Sequence, residues 1–426
     1  MVRMTFSIRA LMALLVGVAA CAPVPQSAVA QSTLPRITAL TMPLAGIQDL
    51  TRLNNAFGVD LYRSLRDEPG NIVFSPYSIS AALAMTYAGA RTATESQMAA
   101  ALHFDLPQTE LHSAFNQLDL ALAQAASPAS GEEQPLQLRV ANSVWVEQTL
   151  QLLDEYLDVI ARNYGAGVRL ADFLTAYEPV RREINAWVAD QTEQRIKELI
   201  PQGAVDQSTR IVLVNAIYFN GDWLYKFDAN DTSDASFLLL DGSEVVVQMM
   251  SNDLAAAAYV AGPGYQAVEL PYQGGSAVMD IIVPDAGTFE EFETSLDSEA
   301  LAKIIGAMQP VSLHLDLPKF SYGASFDLKE RLSALGMADA FNPEIADFSG
   351  MTGHRDLFIS RVLHQAFVAV DEEGTEAAAA TAVIVAPTSI MLPDLTLSID
   401  RPFIYAIRDL GTGQILFLGR VLNPTQ

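Results

Sequence analysis

The chain carries a single cysteine, Cys21, so no internal disulfide framework can hold its fold. Basic residues are also scarce, with 25 Lys and Arg against 50 Asp and Glu for a net charge of −25. That balance excludes nucleic acid, whose phosphates need clustered cations, and excludes electrostatic docking on anionic lipid. It reads instead as a solubilising acidic surface. The five histidines, His103, His112, His314, His354 and His364, form no paired metal-ligand motif, and there is no zinc-type cysteine spacing. No serine occupies a G-x-S-x-G elbow. Gly262-Pro-Gly264-Tyr-Gln-Ala267 formally fits a dinucleotide fingerprint. Pro263 interrupts it, and the alternation that follows leaves no helix N-terminus for a pyrophosphate. The many carboxylates single out no acid/base pair. No catalytic residue, metal or cofactor is therefore expected.

Long apolar runs are missing too. Leu11 to Ala20, behind Arg3 and Arg9, has signal-peptide architecture and is too short to span a bilayer. Two processing sites compete. Val18-Ala-Ala-Cys21 resembles a bacterial lipobox, which gives a signal over residues 1–20 and a diacylated Cys21. Ala28-Val29-Ala30 fits ordinary secretion, with a signal over 1–30 and Gln31 first. A lone cysteine at the end of the apolar run favours the lipoprotein reading. Either way the protein is exported, as an anchored lipoprotein facing the periplasm or cell surface, or secreted. A membrane is a partner only through that lipid. Residues 21–45, rich in Pro and Ser, read as a flexible tether.

From residue 46 to 426 no composition break marks a second domain. The first half reads mostly as helices: Leu50–Leu65, Ala81–Ala90 (apolar nearly all round, hence buried), Thr94–Leu102, Glu110–Ala126, Leu153–Tyr164 and Val180–Leu199. Leu136–Val146 alternates like a strand, and Arg210–Tyr218 is a nearly continuous apolar run that suits a strand covered on both faces. The second half reads mostly as strands, among them Glu244–Met250, Ala256–Val260, Val311–Leu317 and Leu357–Val370, with helical patterns at Phe289–Ile305 and Leu328–Leu335. This is an α+β domain with large antiparallel sheets.

One stretch, Asp371 to Ile390, fits neither period. It begins acidic, turns at Gly374, runs through small residues that favour helix, becomes β-branched at Val383–Val385 and stops at Pro387. A segment with split preference between a glycine and a proline can exist in two conformations.

Several motifs together carry a resemblance. Asn71-Ile-Val-Phe-Ser-Pro-Tyr-Ser-Ile-Ser80, Leu213-Val-Asn-Ala-Ile-Tyr-Phe-Asn-Gly-Asp-Trp223, Val268-Glu-Leu-Pro-Tyr272 and Leu317-Pro-Lys-Phe320 lead the series. Leu335–Phe341, Ala346–Gly350, Ile359–His364, Gly374-Thr-Glu-Ala-Ala, Arg401-Pro-Phe403 and Phe417–Pro424 complete it. In this order they resemble the serpins, the serine-protease-inhibitor fold. The resemblance implies three β-sheets surrounded by about eight or nine helices and an exposed reactive loop. It implies a monomer that traps a target serine protease as a covalent acyl-enzyme while the cut loop enters the central sheet. A non-inhibitory binding or chaperone-like member, or an inhibitor of a cysteine protease, are the alternatives.

The resemblance also assigns residues. The hinge is Glu373, Gly374, Thr375, Glu376, Ala377, Ala378, Ala379, Ala380 and Thr381. An inserting strand alternates its side chains, and Thr375, Ala377, Ala379, Thr381, Val383 and Val385 carry neither charge nor bulk, so this set should face the core. Gly374 supplies backbone freedom. The scissile bond falls fourteen residues on from Gly374, at Thr388–Ser389, with Ile390 or Met391 as the other recognition residues. A small β-branched residue there suits an elastase-like or subtilisin-like protease. Ser75, Ser78, Asn215 and His364 match the shutter, a cluster beneath the opening sheet. Trp223, Thr232, Lys319 and Glu372 match the breach at its top, where an exposed Lys319–Glu372 pair contributes at most ~1 kcal/mol. No basic helix matches a heparin-type site, so no polyanion partner is expected.

Overall fold

The computed structural model describes residues 27–126, 136–375, 393 and 395–426. Strands and helices are numbered along the chain. At the centre is β5 (Ile211–Asp222), whose first nine residues are all buried, the pattern of a strand covered on both faces. It belongs to a seven-stranded sheet in the order β1 (Ala28–Ala30), β4 (Val168–Ala171), β3 (Leu136–Glu147), β5, β13 (Gly374–Thr375), β12 (Ile359–Val370) and β11 (Phe320–Asp327).

The pairing of β5 with β12 positions everything that follows. The two strands are parallel and bonded directly from Ile211/Ile359 up to Ile217/Ala366. Above that point they part, and β13 lies between them, antiparallel to both: Thr375 faces Val370 on one side and Gly221 on the other. The central sheet is closed along its lower seam and already wedged open at the top.

A nine-stranded sheet packs beneath it. Its path is β14 (Leu395–Ser398), β10 (Gln309–Pro318), β7 (Glu244–Gly262), β8 (Tyr265–Pro271), β9 (Ala277–Pro284), β15 (Phe403–Asp409), β16 (Ile415–Val421) and β2 (Ile72–Phe74), with β6 (Ser233–Leu238) on β7. The sequence suggested separate strands at Glu244–Met250 and Ala256–Val260. The backbone runs on instead for 19 residues, because Ser251 to Leu254 stay paired with β10. Two of the three expected sheets are therefore hydrogen-bonded as one.

Among the described residues there are ten α-helical segments. α1 (Leu44–Leu65) packs on α2 (Pro76–Tyr87), in which every residue is buried, as its all-round apolar pattern required. α3 (Thr92–Ala101), α4 (Gln108–Ala125) and α5 (Asp154–Tyr164) follow. α6 (Phe173–Gln191) crosses the outer face of the central sheet, where Val180, Ile184 and Val188 share an apolar cluster with Trp145, Val212, Val214 and Ala216. It stops short of the expected Leu199. The Thr192 hydroxyl bonds the Val188 carbonyl (2.8 Å), and Glu193 and Gln194 turn to φ of 49° and 65°, which ends a helix. The Leu328–Leu335 pattern likewise yields only one helical turn, Lys329–Leu332, before a wide turn containing Gly336 at φ 117°.

The lead-in to α1 departs from expectation. Residues 27–42, which composition presented as part of a free tether, lie against the domain: β1 adds an edge strand to β4, and Asn116 and Gln117 of α4 bond the backbone at Ile37, Ala39, Thr41 and Met42. Proline and serine content alone does not reveal that side chains elsewhere wait for this backbone.

Candidate functional site along the seam of the central sheet

The upper end of the seam is held by ions and backbone. The tight turn after β12 is closed by Asp371, whose Oδ1 accepts the Glu373 and Gly374 N–H groups (2.9 and 3.3 Å) while its own N–H bonds the Gly374 carbonyl (3.0 Å). Burial pushes the Asp371 carboxyl above its ordinary value, against those backbone bonds. The loop after β5 grips the same turn: Trp223 N–H donates to the Glu373 carbonyl (2.8 Å), Trp223 Nε1–H to the Asp371 carbonyl (3.0 Å), and Phe227 N–H to the Glu372 carbonyl (3.0 Å).

Trp223, Thr232, Lys319 and Glu372, which the resemblance grouped, do come together. Glu372 accepts from Lys319 Nζ (2.6 Å) and from the Thr232 hydroxyl (2.8 Å). Its side chain is only 14% exposed against 37% for Lys319, so the pair is half-buried rather than exposed. Burial pulls Glu372 upward, but Lys319, its own backbone N–H and Thr232 hold it net below the usual carboxylate range. A second pair went unnoticed in the sequence: Lys226 Nζ bonds Glu373 (2.5 Å) and Asp222 (2.9 Å). Nothing but its place four residues after Asp222 could have marked it.

The hinge residues inside the described range behave in two ways. Thr375 is fully buried, and its Oγ1 shares a 2.6 Å hydrogen bond with the hydroxyl of Tyr272. Tyr272 stacks on Trp223 (centroids 4.6 Å apart, planes 13° apart). The uncharged set therefore does begin on the core side. Packing adds a second demand for glycine at position 374. A Cβ there would sit 2.1 Å from the Gly221 carbonyl oxygen, so only glycine lets the chain lie this close to β5. Cys21, Glu376, Ala377, Ala378, Ala379, Ala380, Thr381, Thr388 and Ser389 lie outside the described residues.

Halfway down, Ser75, Ser78, Asn215 and His364 form one buried cluster. Asn215 and His364 are neighbours across the closed seam. Ser75 caps α2, its Oγ accepting the Ser78 N–H (3.2 Å). The Ser75 N–H donates to His364 Nε2 (3.1 Å), so the ring proton sits on Nδ1 and is given to Asn215 Oδ1. The amide Nδ2 of Asn215 is shared between Ser78 Oγ and Asn142 Oδ1. His364 is fully buried, and burial lowers it to about 3; the cluster is neutral at physiological pH. Asn142 is a member the sequence did not single out. It sits on β3 directly opposite Asn215, a relation visible only once the register is known.

Among the described residues, then, a two-residue strand parts the top of a sheet whose seam is closed below it over a neutral, buried cluster. The family model for Serpin (serine protease inhibitor) matches residues 52–424, and the chain belongs to the serpin family. Leukocyte elastase inhibitor A of Mus musculus is 39% identical over 388 residues, covering 89% of this chain and all of that protein. Human thyroxine-binding globulin superposes with a TM-score of 0.79 at 30% identity, over 89% of this chain and all of that one. The native thermophilic serpin tengpin superposes at 0.81 with 27% identity, over 94% of this chain and all of its own.

Proposed function

We infer that the protein is a single-use inhibitor of serine proteases, cut as a substrate in its 376–392 loop and closing its central sheet around the cut strand while the acyl-enzyme persists. The observation that carries this reading is the wedge itself: Gly374 and Thr375 already lie between β5 and β12, above a seam that is still paired. Counting down antiparallel from Thr375 brings Ile384 beside Val212 and Arg361, two residues that face each other in the closed seam. Thr375 to Ala386 thus matches β5 and β12, each 12 residues long. Pro387, which has no ladder donor, falls just past the end. There a polar cavity of about 470 Å³ opens, lined by Ser208, Thr209, Asp327, Ser360 and Arg361 among others, at the level Thr388 would reach. About a dozen new ladder residues at ~0.5–1.5 kcal/mol each give roughly 6–18 kcal/mol, comparable with the stability of a whole domain and enough to distort a captured enzyme.

The target class is elastase-like or subtilisin-like. Thr388 suits a shallow apolar pocket, no Lys or Arg lies between Gly374 and Arg401, and the likeness to a leukocyte elastase inhibitor agrees. The protein acts as an exported monomer without cofactor, held to a membrane through a lipid on Cys21. A chain starting at Gln31 would lose Ser27 and β1, both docked on the domain, whereas one starting at Cys21 keeps them. The likeness to thyroxine-binding globulin favours a second reading, a non-inhibitory carrier whose loop is cut without insertion. Incubation with elastase-like, chymotrypsin-like and subtilisin-like proteases separates the two. Inhibition yields a complex that survives denaturant, with the mass of protease plus the inhibitor up to its scissile bond, the C-terminal fragment from Ser389 being released. Cleavage without complex for every protease contradicts it and favours the carrier.

A further inference from the structure

Admitting a strand between β5 and β12 requires them to separate by one further strand spacing, about 4.8 Å. β5 must then shift with β3, β4 and β1 as a block, and α6 lies across that block. Residues 27–42 fasten this moving block to the rest of the molecule. The Ser27 N–H and hydroxyl both donate to the Glu183 carboxylate on α6 (2.5 and 2.8 Å). Ala28–Ala30 pair antiparallel with β4. On α5, Asp158 accepts from the Ser32 hydroxyl (2.5 Å) and the Arg162 carbonyl from the Ile37 N–H (2.9 Å). On α4, Arg36 bonds Asn116 (2.9 Å) and Asp119 (2.5 Å), and Gln117 bonds the backbone at Ala39 (2.9 Å) and Thr41 (2.5 Å). The chain then enters α1, which packs on α2 and β16, outside the block.

One glycine gives independent testimony that the domain is shaped for this segment. A Cβ at Gly167, between α5 and β4, would lie 2.5 Å from Val29 Cγ1 and 3.0 Å from the Ala30 carbonyl oxygen. Its neighbour Gly165 is glycine for another reason, as the left-handed C-cap of α5 at φ 61°. Arg36 also borders a cavity of about 230 Å³ shared with Tyr77, Phe115, Tyr164 and Asn142, so the segment covers the flank of the neutral cluster.

We propose that residues 27–42 are a strap that restrains the parting of the central sheet and so holds the uncut protein in its open-loop form; this rests on the insertion reading above. The strap raises the barrier to spontaneous insertion without touching the seam. The test uses the full chain and two variants remote from the seam, Gly167→Val, which pushes out Val29 and Ala30, and Glu183→Ala, which frees Ser27. Each uncut protein is held a few degrees below its unfolding midpoint, and its conversion to a denaturant-resistant form is timed. Hydrogen exchange at Ala28–Ala30 reports the strap, and wild type cut in its loop is the control. Both variants should expose those amides and convert about tenfold faster, the weight of one or two hydrogen bonds to a charged group. Unchanged protection in Gly167→Val, or conversion at the wild-type rate, overturns the strap while the cut control still gains resistance. If the cut control gains none, the insertion reading falls and the strap with it.

Discussion

The wedge and the neutral cluster sit on the same two strands and are built from opposite chemistry. At the top, Glu373 and Glu372 pair with Lys226 and Lys319 in half-buried ion pairs, which water and salt can weaken, while Asp371 accepts backbone N–H groups. Halfway down, Ser75, Ser78, Asn142, Asn215 and His364 exchange neutral hydrogen bonds, and a buried cluster missing one member leaves buried groups without partners. On the insertion proposed above, the wedge would hold a hinge that can be loosened a little at a time, and a strand entering past it would break the Asn215–His364 contact in one step.

The comparison can be broken in four ways. Thr375→Arg has the largest expected effect, because a charge replaces a buried hydroxyl and burying it unpaired costs several kcal/mol. Proteases should then cut the loop at an undiminished rate while the yield of trapped complex collapses; unchanged trapping would refute the inward-facing set. Asn215→Ala strands the His364 Nδ1–H and takes from Asn142 and Ser78 their shared amide donor, leaving them only the bond to each other (3.1 Å), and should lower unfolding stability by about 3 kcal/mol in a denaturant titration. A loss below about 1 kcal/mol would mean the cluster is not cooperative.

Acidity separates the two regions more finely. His364 binds its proton in the unfolded chain near pH 6.5 but only at about 3 in the fold. Its contribution is therefore complete above pH 6.5, declines as pH falls, and is gone below 3. Between pH 7 and 5 this amounts to ~2 kcal/mol, and His112, lowered by burial to about 4, adds a similar slope. Glu372 loses its contribution in the same direction but lower on the scale: held below its ordinary value, it contributes fully above about 4.5 and is lost only as acid protonates it in the fold. Stability profiles of His364→Gln and Glu372→Gln should thus lose slope in different pH ranges. The smallest effect is the salt response. Glu372→Gln should cost ~1 kcal/mol at low ionic strength and less at high salt, while Asn215→Ala is indifferent to salt.

How much of this was legible depends on where the signal resides. Ser75, Ser78, Asn215, Lys319 and His364 could be named because each falls inside a contiguous motif, and Thr232 and Glu372 because the resemblance placed them near such motifs. Asn142 could not, since an asparagine in an alternating strand gains meaning only from the register of β3 on β5. Tyr272 was quoted as a motif residue, yet its bond to Thr375 spans 103 positions. The strap escaped because β1 has three residues, too few for any period, and its anchors are distributed over four other elements. Helix ends were misjudged where a single side chain decides them, as Thr192 does for α6.

The central claim is that the seam between β5 and β12 accepts the loop as a new strand. It is tested most directly by cutting the wild-type protein once between residues 376 and 390 and comparing its thermal unfolding with that of the uncut chain. Insertion predicts that the cut protein unfolds tens of degrees higher, as roughly 6–18 kcal/mol of added ladder requires. An unfolding temperature unchanged or lowered by the cut would contradict the account.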